Sequence, residues 1–306
     1  MADAERQLAV EGAQRARVAA CALIAGLFFF GGEVWLTALG SKEPTIGALQ
    51  GLTPAFNAMK AARIDPRTIK EHFLVNNQFP LIAAFVLSGI GVLAMIVPLR
   101  YLAFAERARA ERPSPLVGQF STVGPLMYGI FLPVFEISLI VGAHSYLSHG
   151  VFTAAAITSA TGGGLRLALQ LIITLGTLVL AVVFIMGSLR AMRVGLLTRT
   201  MGIVGVIAGV LFLIPLTPLP VIQSLWLVFF GAMLLGFGGR PLPEAWTAGE
   251  ARPWPPRQPA APRQSRQSRQ PAGRGRGRGS AAPPVPAPAA PRGASPSASK
   301  KRKRRR

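Results

Sequence analysis

The sequence predicts an all-α fold: a multi-pass bundle of membrane-spanning helices followed by a disordered basic tail. Three observations carry this prediction. Long uncharged apolar runs dominate residues 18–239. Charged residues make up 15% of the 306-residue chain, whose mean hydropathy is +0.42; soluble domains carry roughly 25%. Residues 251–306 hold no Asp or Glu and finish in a run of seven basic side chains.

The elements follow in order. Residues 1–17 form an N-terminal arm bearing Arg6, Arg15 and Arg17. A spanning helix needs about 20 mostly apolar residues to cross ~30 Å of hydrocarbon. Residues 18–39 satisfy this, then 79–99, 123–145 and 167–189. A cleaved signal peptide is the alternative for the first run, with Ala38-Leu39-Gly40 as its small-residue site. That run is longer than a usual signal core and contains Glu33, so retention is expected. No charge occurs between Arg199 and Arg240, which leaves room for helices at 200–214 and 219–238. Pro215, Pro218 and Pro220 set the turn between them, because proline removes a backbone donor. The fifth helix is short and its turn is hardly polar, so a re-entrant hairpin is the alternative to two full passes. The most direct count is six spans, making residues 18–240 the membrane domain.

Orientation follows from Lys and Arg in the short loops. Six spans place thirteen basic residues on the side of the N-terminus and six opposite, so both termini are expected in the cytoplasm of a bacterial plasma membrane. Trp35, Tyr101 and Tyr146 fall near helix ends, where amphipathic rings sit at headgroup level. Trp246 and Trp254 would hold the start of the tail against the inner surface. The outer loop, 40–78, contains Asp65-Pro66, which reads as an N-cap followed by proline in the first turn. In the next helix Ile69, Phe73 and Asn76 would share a face, capping the bundle or lying on the headgroups.

Few residues can carry chemistry. Ionisable groups inside a span are costly and point to function by default. Glu33 lies ~24 Å along the first helix from Arg17, and Glu136 ~21 Å along the third from Thr122. Both carboxyls should therefore reach a similar depth in the outer half of the bilayer. His144, Arg166 and Gln170 gather toward that side, as do Asn76, Asn77, Gln78 and Gln223. Glu33 or Glu136 would pair with Arg166 there, or be carried neutral; the structural alternative is a plain interhelical hydrogen bond. Pro125 and Pro133 precede Glu136 and would kink its helix. Gly202, Gly205 and Gly209 form a small-residue stripe for close helix packing, within the chain or across a homo-oligomer.

Cys21 is the single cysteine and reads as a small buried hydrophobe; disulfide frameworks and cysteine-rich metal sites are excluded. Gly162-Gly163-Gly164 lacks the Gly-Lys-Ser/Thr of a phosphate loop. No nucleophile elbow or HExxH occurs, so no enzymatic activity, cofactor or metal is expected.

Residues 241–306 are rich in Pro, Ala, Gly and Arg, a composition that cannot bury enough surface to fold alone. From Arg240 onward the chain carries 17 basic residues and 2 acids, a net of +15 out of the total +21. Arg274, Arg276 and Arg278 form an Arg-Gly run, and Lys300, Lys301, Arg302, Lys303, Arg304, Arg305 and Arg306 form the terminal cluster. Such clusters bind anionic phospholipid headgroups at about 1 kcal/mol per residue near the surface. Nucleic-acid binding would be unspecific, since no aromatic is interleaved to stack on bases.

Three stretches carry a family resemblance. They are residues 66–102 leading into the second span, 197–202 running to 215–220, and Ala245-Trp246 followed by 249–255. On these, residues 18–256 resemble six-span integral membrane proteins of high-GC actinobacteria, a family of unknown function. The resemblance implies the six-span topology and a bacterial source. The leading expectation is a non-enzymatic membrane module whose polybasic tail holds an anionic partner; the alternative is a small-solute or proton-coupled transporter using Glu33 and Glu136.

Overall fold

A computed structural model describes residues 2–45, 67–111, 115–150, 152–153, 155–157, 162–214, 216, 219–237 and 242–253. The chain divides into two units, 1–256 and 257–306, and the described residues all belong to the first. The tail's Arg274, Arg276, Arg278 and Lys300–Arg306, together with Trp254 and Asp65-Pro66, lie outside them.

Among the described residues the elements are nine helices and no strands. They are α1 (Ala2–Gly40), α2 (Thr68–Asn76), α3 (Gln78–Ala94), α4 (Ile96–Arg109), α5 (Pro115–Ser148), α6 (Gly164–Arg193), α7 (Arg199–Leu213), α8 (Val221–Leu235) and α9 (Glu244–Ala248). Four stretches are long and apolar enough to cross a membrane: Glu5–Gly40, Gln78–Arg109, Pro115–Ser148 and Gly164–Arg193. Each contains one predicted span and exceeds it. The arm expected at 1–17 supplies the opening turns of α1, whose 39 residues rise ~58 Å. The second crossing is interrupted at Met95, where α3 passes into α4. Pro98 has no N–H to return to the Ala94 carbonyl, so the ladder breaks one turn before it. Pro125 and Pro133 are accommodated inside the continuous helix α5.

The helices form a ring. α1 packs on α3, α3 on α5, α5 on α6, α6 on α7, and α8 closes the circle between α7 and α1. Small residues set the contacts. A Cβ on Gly32 would lie 2.7 Å from the Ser88 nitrogen, and one on Gly176 would lie 2.8 Å from the Tyr128 nitrogen. The Gly202/Gly205/Gly209 stripe is buried against Met192, Ser188 and Ile185 of α6, so its partner is within the chain. Such backbone approach is how helices gain dispersion contacts where lipid tails are as apolar as side chains. Cys21 is less enclosed than expected, at intermediate exposure.

The bundle has two distinguishable ends. At one, Glu11 of α1 and Arg109 of α4 form an ion pair with both side chains at 0% exposure. Arg109 donates from Nη1 and Nη2 to the two Glu11 oxygens at 2.7 and 2.8 Å, and from Nε to the Ala245 carbonyl at 2.9 Å. Trp246 is 1% exposed; it stacks on Tyr101 at 5.4 Å and donates to the Leu196 carbonyl. The chain near residue 11 and the chain near residue 245 are thus held at one end. Trp35 is 42% exposed, whereas Tyr101 and Tyr146, also expected at headgroup level, are enclosed at 4% and 2%. Both rings are drawn inside by hydroxyl partners, the Glu11 carbonyl and the Thr68 hydroxyl respectively. Trp246 likewise is a core residue rather than a surface anchor.

α7 and α8 have 15 residues each, a rise of ~22 Å, short of ~30 Å of hydrocarbon. Thr198 caps α7 by accepting from Met201 N, and Gly236 ends α8 in the left-handed region at φ 72°. α8 runs against α1, with Gly231 beside Ala19 and Gly26 beside Ser224. Its first residues therefore stand level with about Phe29, and α1 continues ~16 Å farther to Gly40. The pair is a hairpin that leaves and rejoins the Arg109 end and stops part-way through the ring. Four described helices are full-length, and a count of six rests on this shorter pair.

Candidate functional site

The hairpin tip leaves a cavity of about 270 Å³ in the middle of the ring. Every large element except α3 and α4 contributes to its wall. α1 supplies Phe29 and Glu33, α5 Tyr128, α6 Thr177, α7 Leu211 and Phe212, the turn Leu216, Leu219 and Pro220, and α8 Gln223. Phe29 and Phe212 stack at 6.2 Å, and Phe212 meets Phe184 at 5.3 Å. Phe184 in turn touches Trp226, which stacks on Phe230. This aromatic column fills the ring from the cavity toward the Arg109 end.

Polar groups concentrate where the column stops. Ser88 Oγ donates to Glu33 Oε1 at 2.7 Å, leaving the second carboxylate oxygen available. The Glu33 charge acts on Glu136, and the charges of both act on the Tyr128 hydroxyl. Gln223 is 6% exposed and lines the cavity, where its amide has no hydrogen-bond partner among the described residues and is open to a water or solute. The arrangement offers a small polar guest a carboxylate, an amide and a phenol against apolar walls.

The other expected members of a shared polar site are elsewhere. Arg166 pairs with neither Glu33 nor Glu136. Its Nη2 donates to the Ser138 carbonyl at 2.7 Å, and its charge acts on Glu71 of α2. The reason is position. Arg166 opens α6, two residues into the helix, and Ser138 is half a turn beyond Glu136, so the guanidinium is aimed at the end of the bundle and not down into it. Gln170 is exposed, and the exposed His144 ring bonds Gln78 Oε1 at 3.0 Å. Of the expected site residues only Glu33 lines the cavity; Glu136 lies within reach of its charge, and Glu136, Arg166, His144 and Gln170 form no part of the wall.

α2 covers this end by packing on α5. Its inward face is Thr68 and Glu71, and Ile69 is 54% exposed, so the face expected from Ile69, Phe73 and Asn76 is rotated. The Thr68–Tyr146 hydroxyl pair at 2.8 Å and the Glu71–Arg166 attraction outweigh the apolar stripe. Glu71 Oε2 and Arg166 Nη1 are both buried without a hydrogen-bond partner. Burial pushes the Glu71 carboxyl above the ordinary carboxylate range, with Arg166 and then Arg67 pulling it partly back. A carboxyl raised on docking stabilises the docked state most when neutral, and that contribution is lost as pH rises through the raised pKa. Glu71→Gln is therefore expected to slow hydrogen exchange across residues 68–76 at about pH 8 and to change nothing near pH 4. Faster exchange in the variant at the higher pH would show that the Arg166 attraction dominates instead.

Sequence reasoning did not single out Ser88, Tyr128 or Thr177. A serine, tyrosine or threonine in an apolar helix is common, and only the rotation of three helices turns these toward Glu33. The chain matches no protein-family model, no curated protein and no solved structure.

Proposed function

We propose that the bundle is a proton-coupled carrier of a small solute, with the cavity at the hairpin tip as its exchange site. One observation carries this reading: Glu33, Tyr128 and Gln223 line one cavity among mostly apolar side chains. Intramembrane carboxylates facing a bundle interior serve relays and solute pathways. Non-helical backbone at membrane depth is tolerated where it lines a cavity, as Leu216, Leu219 and Pro220 do here. Glu33 is the exchanging group in this scheme. Ser88 orients it.

The test is solute-induced current from the full chain reconstituted on a solid-supported membrane. Small cationic, neutral and zwitterionic solutes are applied with and without a pH step. Wild type is expected to give a pH-dependent current for at least one solute class. Glu33→Gln should lower it by about 100-fold, and Gln223→Ala by about 10-fold, in line with loss of a relay carboxyl and of one hydrogen bond. Currents that persist undiminished in Glu33→Gln, or none in wild type across the panel, would remove the reading.

A second reading concerns the tail, on the strength of its charge. A segment with 17 basic residues and 2 acids next to a membrane bundle suits anionic headgroups. We propose that both termini face the cytoplasm of a bacterial plasma membrane, as in the six-span family the sequence resembles, and that Arg274, Arg276, Arg278 and Lys300–Arg306 rest on the inner leaflet. The hairpin supports the shared side for residues 11 and 245 whether it is counted as two passes or none.

A further inference from the structure

A second concavity, unconnected with the first, lies between α4 and α5 at the Arg109 end. Its volume is about 340 Å³. Arg100, Phe104 and Arg107 line it from α4, at the i, i+4, i+7 spacing that places side chains on one helix face. Pro115, Gly118 and Gln119 line it from the first turns of α5. Two guanidinium groups are present and no carboxylate is in the wall. Glu106, the nearest acid on α4, is turned away and occupied by Arg190 at 3.3 Å.

Local packing holds Arg107 in place. Its Nη2 donates to the Pro115 carbonyl at 2.8 Å, and a Cβ on Gly118 would lie 2.6 Å from the same nitrogen. The absence of a side chain at 118 is what lets the guanidinium lie flat against α5. Arg100 lies two turns along α4, ~10 Å by helical rise. Phe104 in the wall is 47% exposed, and its chain surroundings are apolar and open: Val97, two turns before it on α4, and Leu116, next to Pro115, are 40% and 54% exposed. Cations spaced along a groove, with apolar side chains exposed beside them on the outside of a membrane bundle, match a molecule that is anionic at one end and hydrocarbon at the other. Free phosphate would use the cations and leave the apolar rim without a role.

We propose that this groove binds an anionic phospholipid, its phosphodiester held by Arg107 and Arg100 and its glycerol and upper acyl carbons laid on Phe104 and Leu116. Guanidinium favours phosphate through paired N–H donors, and basic pockets between membrane helices hold headgroups in this way. The site is separate from the polybasic tail and does not depend on the transport reading.

The experiment is native mass spectrometry of the full chain titrated with phosphatidylglycerol, phosphatidylcholine or inorganic phosphate. Wild type should retain one phosphatidylglycerol more tightly than the rest, and phosphatidylcholine more weakly. Arg100→Ala should weaken that first lipid about fivefold, and Arg100→Ala with Arg107→Ala about 25-fold. Arg100 is exposed, so its variant should keep the wild-type melting temperature; Arg302→Ala with Arg304→Ala serves as the tail control and should leave the first lipid in place. Equal retention by wild type and Arg100→Ala, equal retention of phosphatidylcholine, or displacement by millimolar inorganic phosphate would each overturn the assignment.

Discussion

Arg109→Met is expected to destabilise the bundle by about 3–5 kcal/mol, the largest loss for any single substitution of a charged residue here. Both members of the Glu11–Arg109 pair are fully enclosed, and the arginine satisfies two carboxylate oxygens and the carbonyls of Ala245 and Ala105. Methionine fills most of the volume and carries none of the charge. Glu11 then stays buried with Gln7 as its one remaining side-chain partner among the described residues, at 2.9 Å. Attraction within the pair does not set the cost, because desolvating two ions offsets most of it. The cost is the carboxylate left behind. Glu11→Met combined with Arg109→Met should therefore recover most of the loss. Reversible unfolding of the four members of this double-mutant cycle decides the matter. A single variant costing less than about 1 kcal/mol would mean that water reaches the pair.

Trp226→Ala is expected to cost about 3–5 kcal/mol, for a different reason. The side chain is 1% exposed, lies between Phe184 and Phe230 at 5.1 and 5.3 Å, and donates from Nε1 to the Met201 carbonyl at 3.0 Å. Lipid tails are as apolar as the indole, so transfer out of water contributes little. The loss comes from the void and the severed contacts between α8, α7 and α6, at roughly 24 cal/mol per Å³ of cavity that does not collapse. Trp226→Phe keeps the stacking and forfeits the hydrogen bond, a loss of about 1 kcal/mol. Hydrogen exchange should locate the damage in residues 199–235. Equal losses in the two variants would place the energy in the hydrogen bond and not in the packing.

Periodicity and hydropathy made the crossing helices legible. Runs of twenty uncharged apolar residues have one inexpensive conformation in a bilayer, and the break between α7 and α8 was readable from the prolines there. Helical rise also anticipated that Glu33 and Glu136 would lie within reach of each other's charge. Rotation was not readable. Arg109 counts equally toward a basic loop whether it faces solvent or Glu11, and nothing in positions 11, 109 and 245 announces that they meet. For the same reason Arg166 was expected beside Glu136, when its helix start aims it at Ser138 and Glu71. Hairpin depth also escaped, because it is fixed by the pairing of Gly26 with Ser224 and Gly231 with Ala19, contacts between segments about 200 residues apart.

The clasp around Arg109 also dictates an order of events. Glu11 is made before the Ala245 carbonyl and Trp246 ring that complete its surroundings, which come about 230 residues later. At 5–20 residues per second that interval is about 10–50 s. Through it, the carboxylate and guanidinium must wait with one wall of their enclosure missing, at an end of the bundle where water can still solvate them. The ring of helices can assemble as each emerges; α9, made after them, then closes over the pair and expels that water. The later piece is the one that makes the earlier piece costly to remove.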